Sequence, residues 1–277
     1  MLHIFIGYDH RQPISYNVCQ YSIIQHASKP VTISPIKIDT LPINPNEGPW
    51  LKGLTPFTQT RWLTPWLAQE CGADIAVFMD ADILVRGDIH ELTDGLDWEA
   101  DLDSPKAKAI YVHKNKEQFE WPSVMVFNVR HPAHQAITPD SMTRGYVRPY
   151  KWDWLGGVDS ELIGDFPAEW NHLVGYDDPN PEARLVHYTA GIPAFPETQM
   201  SEHSQAWHEA AQSMASALPW KDLMGFSVHA RWLLNGKIVP PGTPGAEPLP
   251  IVHPDTQNAE AAEPSQVDMS PLKGLVA

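Results

Sequence analysis

Apolar residues along this chain fall in short runs that alternate between two periods, separated by turn residues. Leu2 to Ile6 reads as a buried strand closed by Gly7-Tyr8-Asp9. Pro13 suits the first turn of a helix, and Ile14, Val18, Tyr21 and Ile24 recur at helical spacing as its expected buried stripe. Val31 to Ile38 reads as a second strand. Residues 40–56, rich in Pro, Asn and Gly, read as a long loop; Thr55-Pro56 then offers a helix start, and Pro65 a kink or break. Ile75 to Met79 is an unbroken apolar strand, and Ile89 to Leu92 a short helical turn. Ala109–His113, Val124–Val129 and Leu185–Tyr188 are further strands. Thr138 to Gly157 reads as loop, Asp159 to Ile163 as the opening of a short helix, and Ser201 to Leu218 as a helix. Strands alternating with helices predict an α/β fold, a Rossmann-like mixed sheet flanked by helices. From Pro240 onward Pro, Gly, Glu and Ala replace large apolar residues, so a domain over 1–235 with a loosely packed or disordered tail over 236–277 is expected.

The strand Ile75–Met79 ends on Asp80-Ala81-Asp82. Residues i and i+2 of a strand share a side, so the two carboxylates share a direction with Cα atoms roughly 6–7 Å apart. Like charges that close repel, and a hard divalent cation relieves the repulsion. Carboxyl ends of strands are where α/β sheets bind ligands. Asp80 and Asp82 are therefore candidate metal ligands for a phosphate-bearing substrate.

Composition narrows the partners. The formal net charge is −15, which disfavours a nucleic-acid backbone but not an anionic nucleotide carried with a metal. Cys19 and Cys71 show no metal or disulfide spacing; both sit in apolar-patterned segments and are expected as buried free thiols, which fits a reducing, cytoplasmic setting. No signal-peptide pattern opens the chain, and no apolar run reaches the ~18 residues of a transmembrane helix. Of the eleven tryptophans, Trp152 and Trp154 could stack on a sugar, although core packing is the default.

Six segments in order resemble retaining glycosyltransferases of family 8, which have the GT-A fold. They are FTQTRWLTPWLA from Phe57, FMDADILVRGDIHEL from Phe78, SVMVFNV from Ser123, Val158 to Glu161, Phe166 to Asn171, and HYTAGIP from His187. The likeness is to divergent bacterial and phage-type members. It implies that Asp80, Asp82 and His187 ligate Mn²⁺ or Mg²⁺, and that Tyr8 and Asp9 contact the base of a nucleotide-sugar donor, a UDP-sugar or a relative. It further implies that Arg61 reaches the nucleotide or the sugar near Asp80, that Asn128 and Asp159 face the transferred sugar, and that Gly191 admits the diphosphate. The chain departs from the family after Gly191, where Ile-Pro-Ala-Phe stands in place of a Lys-Pro-Trp; Arg11, Lys52 or Arg61 would have to replace that lysine.

Read from the residues alone, each position has a plainer role. Arg61 suits an acid partner on a helix surface, Asp159 a helix cap, Tyr8 and Asp9 a turn, Asn128 a strand end, and His187 a hydrogen-bonded strand-end histidine. The expected activity is metal-dependent transfer of a hexose to a glycan, lipid or protein acceptor. Asp159 and Asn128 are the candidates to stabilise the oxocarbenium charge. Two other readings stay open: a sugar-phosphate nucleotidyltransferase, and a carbohydrate-binding protein without catalysis.

Overall fold

The computed structural model describes residues 1–43, 58, 60–215, 233–234, 237–238 and 244. The expected helix start at Thr55-Pro56, Lys52 and most of loop 40–56 lie outside the described residues, as does the expected tail apart from Lys237, Ile238 and residue 244. Two compact units divide the chain, Met1–Ala215 and Ser216–Ala277. Of the second, an antiparallel pairing of Leu233–Leu234 with Lys237–Ile238 is described.

The first unit carries a six-stranded mixed sheet. Its strands are β1 (Leu2–Gly7), β2 (Val31–Ile36), β3 (Ile75–Met79), β5 (Ile110–Val112), β6 (Val124–Asn128) and β7 (Ile163–Asp165), in the order β2-β1-β3-β6-β5-β7. β1 runs parallel to β2 and β3, β6 antiparallel to β3 and β5, and β7 parallel to β5. A smaller sheet pairs β4 (Ile83–Val85) antiparallel to β9 (Leu185–His187), with β8 (His172–Leu173) parallel on the other side of β9.

Both faces of the large sheet are covered, so its central strands carry continuous apolar runs rather than an alternation. Phe5, Phe78 and Phe127 pack on one face with Trp62, Leu63 and the aromatic segment around Trp152 and Leu155. Ile4, Ile6, Val77, Met79 and Val126 pack on the other, against α1 (Pro13–His26) and α3 (Ile89–Asp94). A third cluster joins Val18 of α1, Leu84, Val186 and Tyr188 to Trp207 of α5 (Ser204–Ala215).

The structure corrects several expectations. The buried side of α1 is Ser15, Tyr16, Val18, Cys19, Ser22 and Ile23, whereas Ile24 is 53% exposed. Small polar Ser22 belongs inside because its hydroxyl accepts from Val85 N and donates to Cys19 O. Cys71 is exposed; only Cys19 is a buried thiol. The segment 138–157 is not plain loop. It contains α4 (Pro139–Arg144), closed at its start by reciprocal bonds between Thr138 and Ser141 and at its end by Gly145 at φ +71°. No helix opens at Asp159: a turn there leads directly into β7. Pro65 starts α2 (Thr64–Glu70), following a 3₁₀ turn at Arg61–Leu63.

Candidate metal centre

The two sheets meet at Asp80-Ala81-Asp82, which links β3 to β4. Asp80 N donates to Ser123 O at 2.9 Å, fixing the end of β3 against the entry to β6. Ile83 of β4 pairs with His187 of β9, and Tyr188 N donates to Asp82 O at 3.0 Å. That register is what carries His187, more than a hundred residues away in sequence, to the side of Asp82. Ile6 of β1 is level with Met79, so Tyr8 and Asp9 leave the sheet at the same end.

The resulting geometry is a buried charge cluster. Arg61 Nη2 donates to Asp80 Oδ2 at 2.9 Å, with both side chains 6% exposed. His187 Nε2 lies 3.4 Å from Asp82 Oδ1, at ion-pair range without hydrogen-bond alignment. On the other side of the ring, Nδ1 lies 3.8 Å from Glu120 Oε2. One ligating atom from each of Asp80, Asp82 and His187 falls within 4.8 Å of the others. Burial pushes the Asp80 carboxyl up to about 7, against the opposing pull of Arg61 and with further repulsion from Asp82. Burial drives the His187 imidazole down, but Asp82, Asp80 and Glu120 outweigh it and the net shift is upward. Asp80 Oδ1, Asp82 Oδ1 and His187 Nδ1 are buried without a hydrogen bond. Unsatisfied oxygens of a carboxylate pair beside an imidazole suit a divalent cation, so these residues fit the metal that the acid pair implies.

The other expected site residues divide. Asp9 is held by Arg11 through its side-chain and backbone N–H groups, which keeps its carboxyl below the usual range. Arg11 is thereby engaged at Asp9, and Arg61 at Asp80. Tyr8 packs edge-on against Tyr16, 5.5 Å between ring centroids. Gly191 adopts φ +116°, a conformation that side chains disfavour, and an added Cβ would meet the Phe195 ring at 3.1 Å. Asp159 is a correction: it is exposed in the turn before β7, whose Ile163 is level through Ile110 and Phe127 with Ala76 at the start of β3, so it lies at the end of the sheet away from Asp80.

Asn128 is a correction. It pairs with Ile75 at the start of β3, while Val124 pairs with Met79 at its end. Asn128 thus lies at the opposite end of the sheet from Asp80. There its amide donates to Leu102 O and Lys108 O. Trp152 is buried and packs edge-on against Trp62 with Trp154 stacked beside it. Two neighbours of the cluster escaped the sequence reading. Glu120 lies in the 3₁₀ segment Gln118–Ser123 just before β6. Tyr150 contacts Trp62 edge-on at 5.1 Å, and its hydroxyl pKa is raised by burial within the field of Arg61, Asp80 and Glu120. An acid just ahead of the strand that follows the Asp-x-Asp was the one available signal for Glu120.

No family model matches the chain. Among curated proteins, Protein CDI of Arabidopsis thaliana is 31% identical over 236 residues, covering 74% of this chain and 83% of that relative. The chain belongs to the Protein CDI family. Solved structures share its fold at lower identity. Galactosyltransferase LgtC, in complex with donor and acceptor sugar analogs, matches with a TM-score of 0.55 at 14% identity over 79% of this chain and 99% of that one. The glycosyltransferase GlyE of Streptococcus pneumoniae TIGR4 matches with 0.52 at 14% over 80% and 63%. The bifunctional glycosyltransferase WbbM matches with 0.52 at 17% over 80% and 50%. This CDI-family chain therefore has the GT-A glycosyltransferase fold, with its acid pair at the end of a central strand.

Proposed function

We propose that the protein is a metal-dependent glycosyltransferase, similar to family 8, that moves a hexose from a nucleotide-diphosphate sugar, UDP-linked in the first instance, to a glycan, lipid or protein acceptor with retention at the anomeric carbon. The observation that carries the reading is the convergence of Asp80 and Asp82, in the link between the two sheets, and His187 of β9 on one point, with Asp80 and His187 buried and Asp82 partly exposed. LgtC, a protein of the same fold, is a galactosyltransferase seen with donor and acceptor sugar analogs, which supports the reaction class.

In this reading Asp80, Asp82 and His187 hold Mn²⁺ or Mg²⁺. The bound cation supplies Lewis-acid neutralisation of the departing diphosphate. Arg61 fixes the Asp80 carboxylate through Oδ2 and leaves Oδ1 for the metal. Its guanidinium also brings a buried positive charge beside the acid pair, and so stands in for the lysine absent after Gly191. Tyr8 and Asp9, at the same strand ends, take the base, and Gly191 lets backbone approach the diphosphate. The unpaired cysteines are consistent with a reducing compartment.

The test is a thermal-shift panel of nucleoside diphosphates with and without Mn²⁺. A ligand that binds only the folded state raises Tm by mass action. UDP with Mn²⁺ is expected to give the largest rise, and Asp82→Ala to remove the metal-dependent part. Hydrolysis of a UDP-hexose that needs Mn²⁺ supports transfer chemistry. No shift with any nucleotide points instead to a carbohydrate-binding protein, and pyrophosphate release from a nucleoside triphosphate to a nucleotidyltransferase.

A further inference from the structure

Among the described residues a second set of ligating side chains converges away from Asp80. His172 of β8 pairs with Val186 of β9. Neighbours along a strand face opposite ways, so His172 shares the face of Val186 and His187 points to the other. Glu202 and His203 end the turn that leads into α5. The Glu202 carboxylate receives both rings: Oε2 lies 2.9 Å from His172 Nε2, and Oε1 3.2 Å from His203 Nε2. The Asn180 carbonyl is 2.9 Å from the same His203 nitrogen. Behind the first ring, Asp177 Oδ2 accepts from Leu173 N at 2.8 Å and sits 3.8 Å from His172 Nδ1, beyond hydrogen-bond range but close enough to add negative charge. His172 is 2% exposed.

Without a metal, His172 Nε2 carries a proton for Glu202 Oε2 and His203 Nε2 one for the Asn180 carbonyl, while Glu202 Oε1 accepts from Asn180 N at 2.8 Å. A cation would replace those protons, with bonds of about 2.0–2.2 Å to two imidazole nitrogens and a carboxylate oxygen. That donor set suits zinc; magnesium and calcium take oxygen almost throughout. His203 also holds φ +57°, which a residue with a Cβ rarely adopts, and from that conformation its ring reaches the site. Arg86 opposes a cation, since its Nη1 is 3.2 Å from His203 Nδ1. The two hydrogens on Nη1 have closer acceptors in Pro181 O and Ala183 O at 3.0 and 2.9 Å, and Glu202 and Asp177 offset its charge.

We propose that His172, Glu202 and His203 bind one zinc ion that fastens the start of α5 to the edge of the small sheet, independently of the donor site. The test is equilibrium dialysis of the metal-stripped full chain against Zn²⁺ in an Asp82→Ala background, which disables the first cluster. One bound equivalent and a higher Tm are expected. Adding His203→Asn should weaken zinc by at least the about 10–100-fold that loss of a supporting group costs. Zinc bound equally by a folded Asp82→Ala/His203→Asn chain overturns the proposal, as does no retained zinc in Asp82→Ala. Should the double variant fail to fold, Co²⁺ loaded into Asp82→Ala decides: the intense visible absorption of a tetrahedral ion supports the site, and the weak spectrum of aqueous cobalt overturns it. No nucleotide enters these measurements, so their outcome is separate from that of the transferase reading.

Discussion

The Asp80–Arg61 pair shows how a single buried contact can serve both folding and chemistry. Both groups are nearly inaccessible, and their attraction has to offset the desolvation of two charges. Removing one partner strands the other, which typically costs about 3–5 kcal/mol. Asp80 is a special case, because Asp82 and Glu120 already disfavour its ionised form. Arg61→Met should therefore let Asp80 take up a proton rather than leave a bare charge, so the loss in urea unfolding without added metal should grow as pH rises above about 7, at up to about 1.4 kcal/mol per pH unit, and saturating Mn²⁺ should restore part of it by taking over as the counter-charge. A loss that does not change with pH, or no recovery with Mn²⁺, would show that Asp80 needs neither partner. Arg11 and Asp9 form the contrasting case: the arginine is exposed, and the bond orients the Asp9 carboxylate at the strand end without a comparable energetic role.

At the scale of elements, the pattern of apolar residues settles existence better than facing. The α1 segment is a helix as its spacing predicts, but the predicted stripe runs through Ile24, whereas the structure buries Cys19, Ser22 and Ile23. Two adjacent isoleucines leave the periodicity ambiguous, and the Ser22 hydroxyl bonded to Val85 N decides it, a tertiary contact that spacing cannot show. Ile23→Ala should accordingly cost about 2–5 kcal/mol, and Ile24→Ser less than about 0.5 kcal/mol. Comparable losses in chemical denaturation would place the helix in the other register. The same limit explains the site. Asp80 and Asp82 were legible because a long apolar run ends on them, and Arg61 and His187 through a resemblance of motifs in order. Asn128 went astray because an apolar run has no direction: β6 is antiparallel to β3, which sends its last residue to the far end of the sheet. β4, β7 and β8 are two or three residues long, too short to show a period, and α4 is set by the Thr138–Ser141 bonds inside an otherwise irregular stretch.

At the scale of the whole molecule, the pH response follows from which titratable groups the core has taken in. His134 is fully buried against Phe127, with Nε2 3.0 Å from Ala109 O and Nδ1 without a partner. Burial pushes its imidazole from an ordinary 6.5 down to about 4, and His131 beside it is shifted the same way by burial. A depressed folded-state value means that the unfolded chain binds more protons between those limits. The stabilisation is then complete above about pH 6.5 and drains away as pH falls towards 4, at up to about 1.4 kcal/mol per pH unit. The carboxylates lowered by their partners, Asp9 by Arg11 and Asp103 by Arg130, lose their contribution only below the ordinary carboxylate range, so the two effects occupy separate windows. Asp80, raised by burial, carries a slope of opposite sign over the same range, so the contribution of His134 is read as a difference. His134→Gln keeps a donor for Ala109 O but cannot titrate, and the stability gap between wild type and variant in urea unfolding should change by about 3 kcal/mol between pH 4 and 7. Identical slopes in the two proteins would mean that this histidine meets solvent before it is protonated, and that the packing between β6 and the 3₁₀ segment Pro132–Ala136 opens well before the rest of the sheet.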